Sequence, residues 1–349
     1  MLPSTRRGLS RSWQRPRCVT TAATSEFRRE LGDRFHGRLA DAAGKTRSAR
    51  GAEPTRSRLA SVSDVDEPHE VSPKEPARFR SVLCGVDASG QSIVAVRQAV
   101  AVAEADAKYW ALSAWDPAIG MVAGMGALDV MNQLREEARG ALRQAQDALP
   151  SVTPILMRGR DVAALLGGIA NLEADLVAVG SHGTSRPAGV LFGSVASAMA
   201  HHAPCSVLIA RESMVDRFPR LILHANDGSP ESLDAAYVAG RLAARHGSTV
   251  VTLHVGETRG RAVAEEAVAL METSGLEPVM RIEQGAPHRR IVEVANDAGA
   301  SLIVIGSRGR TGLAALGSVS ERVMHHADCS VLIVRRPAHP AQEDATASI

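Results

Sequence analysis

The stretch from His201 to Ile209 and the stretch from His325 to Ile333 are the same at eight of nine positions, 124 residues apart. Upstream, Gly180-Ser181-His182-Gly183 pairs with Gly306-Ser307-Arg308-Gly309, and Val82–Asp87 pairs with Ile222–Asp227, at offsets of 126 and 140. The offsets drift because connections differ in length, while the order of segments is kept. Solenoid repeats run roughly 20–50 residues. A period this long therefore requires two duplicated domains.

Each copy alternates short apolar runs with amphipathic stretches. In the first, strands are expected at Ser81–Val86, Tyr109–Trp115, Pro154–Met157, Leu176–Val179 and Ser206–Ala210. Helices lie between them: Ile93, Val96, Val100 and Ala103 share one face, and Val162, Leu165, Leu166, Ile169 and Leu172 share another. The second copy repeats the pattern at Leu221–Ala225, Thr249–Val255, Val279–Ile282, Leu302–Ile305 and Ser330–Val334. Pro287 falls in the first turn of a helix, where its missing N–H costs nothing. Strands alternating with helices predict parallel pairing through right-handed crossovers, so each copy is expected to be an open, doubly wound α/β sheet. The stretch Pro117–Gly126 reads as a long loop leaving the carboxyl end of a strand.

Aromatics are only 3% of the chain, so the cores must be built from aliphatic residues and alanine. No apolar stretch is long enough to span a bilayer, and no secretory leader is evident. A cytoplasmic protein is expected. The net charge of +2 is uneven: residues 1–50 sum to +8 and the remaining 299 to −6. The body thus lacks the basic surface that nucleic-acid binding requires. Residues 1–76 are expected to form a disordered basic extension, with a short helix near Phe27–Leu39; domains are expected at 77–214 and 217–337, and a disordered tail at 338–349. Cys84, Cys205 and Cys329 lie in or beside strand-like runs and read as buried apolar side chains. The pairs His201-His202 and His325-His326 read as helix-end residues on the last carbonyls, because adjacent residues point apart on a helix and form no metal face. Arg289 and Arg290 read as a solvated helix face.

In an open parallel sheet, ligands bind beyond the carboxyl ends of the strands, where strand order reverses. Asp87 and Asp227 end the first strands, and Gly180 and Gly306 the fourth. After Gly180 comes Gly183, then nine residues, then Gly193-Ser194-Val195 opening a helix. Glycine lets peptide N–H groups approach an anion closely, and a helix N-terminus favours phosphate. Ser194 is expected to cap that helix. The motif is neither a Walker A loop nor a Gly-x-Gly-x-x-Gly fingerprint.

With these residues the chain resembles the universal stress protein family, whose motif of Gly, two residues, Gly, nine residues, Gly, Ser or Thr it matches at Gly180, Gly183, Gly193 and Ser194. "VLCGVDASGQS" and "ILHANDGSPES" are similar to the family's first strand, and "HHAPCSVLIA" and "HHADCSVLIV" to its fifth. The resemblance implies five-stranded sheets ordered 3-2-1-4-5. It implies that Asp87 contacts the adenosine end of a nucleotide, the backbone of Ala114 the adenine, Gly180 and Gly183 the ribose and phosphate, and Gly193, Ser194 and Val195 the phosphates. The matching positions in the second copy are Asp227, Val255, Gly306, Gly309, Gly317, Ser318 and Val319. Only seven residues separate Gly309 from Gly317, which shortens the phosphate-side loop there. The implied ligand is ATP, with AMP or ADP as alternatives and Mg²⁺ accompanying the phosphates. The implied role is regulatory, in a stress response, through nucleotide-dependent assembly: a homodimer, an internal pseudo-dimer or a further protein partner. The fifth strand, with Cys205 and Cys329, would then lie at a domain or subunit contact. The alternatives are a nucleotide-free dimerisation scaffold and a weak ATPase. No general base is positioned for more than slow hydrolysis, and no catalytic residue is assigned.

Overall fold

The computed structural model describes residues 77–118, 127–183, 192–212, 217–256, 260–309 and 316–335. The expectations for the basic extension, for a helix near Phe27–Leu39, for the glycine-rich part of the long loop and for the tail lie outside those residues.

The first half runs β1 (Ser81–Gly85), α1 (Gly90–Val102), β2 (Lys108–Trp115), α2 (Ala127–Ala148), β3 (Thr153–Arg158), α3 (Asp161–Asn171), β4 (Leu176–Gly180), α4 (Ser194–His202) and β5 (Ser206–Ala210). The second half repeats it with β6 (Leu221–Asn226), α5 (Pro230–His246), β7 (Thr249–Val255), α6 (Gly260–Glu272), β8 (Val279–Glu283), α7 (Pro287–Ala298), β9 (Leu302–Gly306), α8 (Ser318–His326) and β10 (Ser330–Val334). Local chemistry fixes the helix ends. Ser89 and Ser229 cap α1 and α5, each hydroxyl accepting the N–H of the serine three residues on. Pro230 and Pro287 open α5 and α7, and Gly247 and Gly299 close them in the left-handed conformation.

Each half has the expected order, β3-β2-β1-β4-β5 and β8-β7-β6-β9-β10, with parallel pairing throughout. The two five-stranded units are joined through their fifth strands: β5 pairs antiparallel with β10, and the halves form one continuous ten-stranded sheet. Each of these strands ends its own half-sheet and would otherwise present a row of unpaired backbone groups; their pairing covers both edges, and every residue of the two strands is buried. Leu208 faces Leu332 at the centre of this local two-fold. One apolar layer crosses the junction, from Val82, Val96 and Ala141 through Leu208 to Leu332, Val304 and Ala239.

Helix carboxyl ends are closed by cations from the opposite half. Arg211 donates to the carbonyls of Met324 and Cys329, and Arg335 to those of Ala200 and Cys205. Arg245 and His246 of α5 reach the carbonyls of Ala101 and Ala103 at the end of α1, where Arg241 also pairs with Glu104. A cation there meets both the unpaired carbonyls and the negative end of the helix dipole. His201 bonds the Ser197 carbonyl at 2.8 Å, the helix-end role expected, and also lies 3.4 Å from Glu321. Arg290 corrects an expectation: it bridges Glu283 and Glu293 at 2.6 and 2.5 Å instead of pointing to solvent. Burial pushes the thiols of Cys84, Cys205 and Cys329 up to about 12, so none is a ready thiolate.

His224 occupies the position matched by Cys84 and is fully buried, and burial pushes its pKa down to about 4. The unfolded chain takes up this proton near pH 6.5. The folded chain resists it until about pH 4. Stability from this group is therefore complete above pH 6.5 and is lost as pH falls toward 4. Between pH 7 and 5 the linkage is worth about 2 kcal/mol. Urea unfolding at both pH values should show that loss in the wild type and not in His224→Cys. Equal losses in the two would remove His224 as the cause.

Candidate functional site

The carboxyl ends of β1, β2 and β4 meet the start of α1, α3 and α4 at one edge of the first half. The turn after β1 is tied by its own polar groups. Asp87 Oδ1 accepts the hydroxyl of Ser89 at 2.6 Å and its N–H at 3.1 Å, while the Ser89 hydroxyl accepts the N–H of Ser92. Ala88 between them has φ of 62°, a left-handed conformation that strains an alanine by about 1–2 kcal/mol. The matched residue in the second half is Gly228. The bonds from Ser89 hold the exposed Asp87 carboxylate at the sheet edge.

The glycines after β4 are close-approach positions. A β-carbon on Gly180 would lie 2.9–3.1 Å from Gln91 and the Ser92 nitrogen, at the start of α1. One on Gly183 would lie 2.2 Å from Asp87 Oδ2. One on Gly193 would lie 3.1 Å from His182 Cα and 3.2 Å from the Ser181 carbonyl. Gly183 thus passes directly over Asp87, and Gly193 sits against the end of β4, its N–H donating to the Ser181 carbonyl at 2.8 Å. The expectation that Ser194 caps α4 is corrected. Gly193 is the capping residue, with extended backbone and no side-chain hydrogen bond, and Ser194 is the first helical residue, exposed. A glycine cap brings no oxygen of its own to the first-turn amides.

The structure brings Asp87, Gly180, Gly183 and Gly193 together at one edge of the sheet, with Ser194 and Val195 following Gly193 at the start of α4. Ala114 is the last residue but one of β2, the strand paired with β1, at the same edge. Three residues near this edge were not anticipated. Gln91 Oε1 is buried beside Gly180 with no hydrogen-bond partner. Asp116 and Asp161 lie near Asp87; burial and then the carboxylates of Asp87 and Asp116 push the Asp161 pKa up. The legible signal for Gln91 was its place two residues into a serine-capped helix. Phe192, just before the cap, packs on His325 of the other half at 4.5 Å and under Arg211 at 5.6 Å.

The second half repeats this frame with different contents. Gly306 crowds the Glu231 backbone, and Gly309 would place a β-carbon 2.6 Å from Asp227 Oδ2. Gly317 caps α8, donating its N–H to Ser307 at 2.7 Å. Val255 ends β7, and Ser318 and Val319 open α8. Arg308, in the place of His182, lies 3.5 Å from Glu231. Among the described residues no three His, Cys, Asp or Glu side chains are arranged to hold a metal ion. No helix among them is long and apolar enough to cross a membrane. A cavity lined by Phe79, Val102, Glu104, Val238, Arg241 and Leu242 lies between α1 and α5, away from this edge.

The sequence model of the universal stress protein family matches residues 78–211 and 259–335. A universal stress protein of Mycolicibacterium smegmatis is 32% identical over 286 residues, which span 73% of this chain and 96% of its own. One from Mycobacterium tuberculosis is 32% identical over 187 residues, 47% of this chain and 63% of its own. The crystal structure of a universal stress protein from Archaeoglobus fulgidus shares the fold, with a TM-score of 0.58 at 22% identity over 74% of this chain and 99% of its own.

Proposed function

The chain belongs to the universal stress protein family, and from that premise we propose that its first half binds an adenine nucleotide and serves a regulatory, not a catalytic, role in a stress response in the cytoplasm. The nucleotide is ATP, with ADP and AMP as weaker occupants. Asp87 would hold the ribose end and the Ala114 backbone the adenine. Gly180 and Gly183 would pass under the ribose and first phosphate, and the amides of Ser194 and Val195 would face the outer phosphates. The observation that carries this reading is Gly183: a β-carbon there would lie 2.2 Å from Asp87 Oδ2, so only glycine lets the backbone pass this close to the carboxylate. The uncapped start of α4 stands at the far end of the same bend. Mg²⁺ would be held by phosphate oxygens, since no trio of protein ligands is assembled among the described residues. Because β5 and β10 already pair with each other, assembly with further copies or partners would use another surface.

The test is to denature the purified protein and identify released small molecules by mass spectrometry. The reading predicts an adenine nucleotide, or its uptake when apo protein is incubated with millimolar ATP. Protein that carries none and takes up none would leave only the fold.

A further inference from the structure

We infer that the chain holds one nucleotide, in the first half, because the second half has closed its own cleft with three side chains that the first half lacks. The inference rests on the nucleotide reading above and concerns which of the two duplicated clefts carries it.

The duplication supplies the comparison, since strand register matches the halves residue by residue. Val86, Ser113 and Gln91 of the first half correspond to Asn226, His254 and Glu231 of the second. All three changes put a more polar, larger or charged group at the ligand edge, Asn for Val, His for Ser and Glu for Gln, and each is used internally. His254 Nδ1 bonds the Asn226 carbonyl at 2.9 Å. It ties together the ends of β6 and β7, the two strands that would have to receive the base between Asp227 and Val255. The ring fills the space beside Gly256 and Gly260, where added β-carbons would lie 2.7 and 2.6 Å from it. Asn226 Nδ2 donates to the Val263 carbonyl at 2.7 Å, and its Oδ1 accepts from Gly228 and Ser232 at 3.0 and 2.9 Å. These bonds draw α6 onto the turn after β6. The Val263 side chain sits at 3.0 Å from a β-carbon placed on Gly228. A base entering here would have to break buried hydrogen bonds that it could not all replace, at a cost of roughly 1–3 kcal/mol per orphaned group.

The phosphate side is occupied in the same way. Glu231 brings a carboxylate, only 18% exposed, to the first turn of α5 beside Gly306, where the first half has neutral Gln91. Its partner is Arg308, the basic side chain of the bend, and the Arg308 carbonyl accepts the Ser229 hydroxyl at 3.4 Å. A phosphate would meet a like charge and a guanidinium already paired. Ser229 and Gly306 are buried, whereas Ser89 and Gly180 are partly exposed. The second cleft is thus sealed by its own bonds at both ends.

Titration calorimetry of the full chain with ATP tests this. One equivalent is expected in the wild type and none in Ser194→Glu. Two equivalents, or one equivalent that survives Ser194→Glu, overturns the inference while leaving nucleotide binding standing. No uptake by the wild type overturns the nucleotide reading itself. The graft Asn226→Val, His254→Ser and Glu231→Gln, with folding checked by urea unfolding, should raise uptake to two equivalents. A folded graft that still takes one removes these three side chains as the cause of closure.

Discussion

Replacing Arg211 by alanine is expected to lower the free energy of unfolding by about 3 kcal/mol. The guanidinium is buried, and burial lowers its pKa while Cys329 and Asp328 act the other way. It donates to the carbonyls of Met324 and Cys329, and its own carbonyl accepts from Gln98 at 2.9 Å. Alanine keeps the backbone bonds and abandons two carbonyls, that of Met324 in the last turn of α8 and that of Cys329 just before β10. Each buried orphan costs roughly 1–3 kcal/mol, and bonds to a charged donor lie at the upper end. Arg335 does the same to the end of α4, so Arg335→Ala should cost a similar amount. The two are coupled through one sheet junction, and the double variant should lose less than the sum. Arg217 is the control, since it reaches one carbonyl at 3.2 Å from an exposed position, and its removal should stay within about 0.5 kcal/mol. Urea unfolding reads all four. A loss at Arg211 no larger than at Arg217 would show that the cross-half caps contribute nothing to holding the sheet together.

Ser194→Glu should move stability and binding in opposite directions. Ser194 is the exposed first residue of α4, and the cap before it contributes no side chain. A carboxylate there meets the positive end of the helix and should stabilise the fold by about 0.3–1 kcal/mol. The same carboxylate stands where a phosphate would sit. Two unit charges 4 Å apart near a protein surface repel by about 4 kcal/mol, so even after screening ATP affinity should fall at least about 100-fold, near 3 kcal/mol. A misfolded variant would lose both properties. Affinity within about threefold of wild type would mean that the start of α4 does not face phosphate.

Much of this was legible in the sequence. The strands, the helices, the glycines of the bend and the aspartates at the strand ends follow from periodicity and duplication, because local chemistry decides them. The partner of an edge strand does not. SVLIA and SVLIV read as core strands whichever neighbour they take, and their pairing depends on a surface formed only after both halves fold. Arg211 and Arg335 follow strand ends, and nothing local marks their targets, which are carbonyls more than 110 residues away. The cap of α4 was misplaced by one residue because serine before a helix usually caps it, whereas here extended backbone at Gly193 comes first. The sealing of the second cleft was hidden for another reason. His254, Asn226 and Glu231 are unremarkable alone and acquire meaning only when register sets them against Ser113, Val86 and Gln91.

The central claim is that bare amides at the start of α4 receive the phosphates of a nucleotide. Amide proton shifts of Ser194 and Val195, followed by nitrogen–proton correlation spectroscopy as ATP is added to the full chain, report on it directly. Large, saturable shifts at these two amides, weaker with adenosine and absent at Ser318 and Val319, are the expected result. Saturating ATP that leaves Ser194 and Val195 unmoved, or that shifts the α8 pair instead, would contradict it.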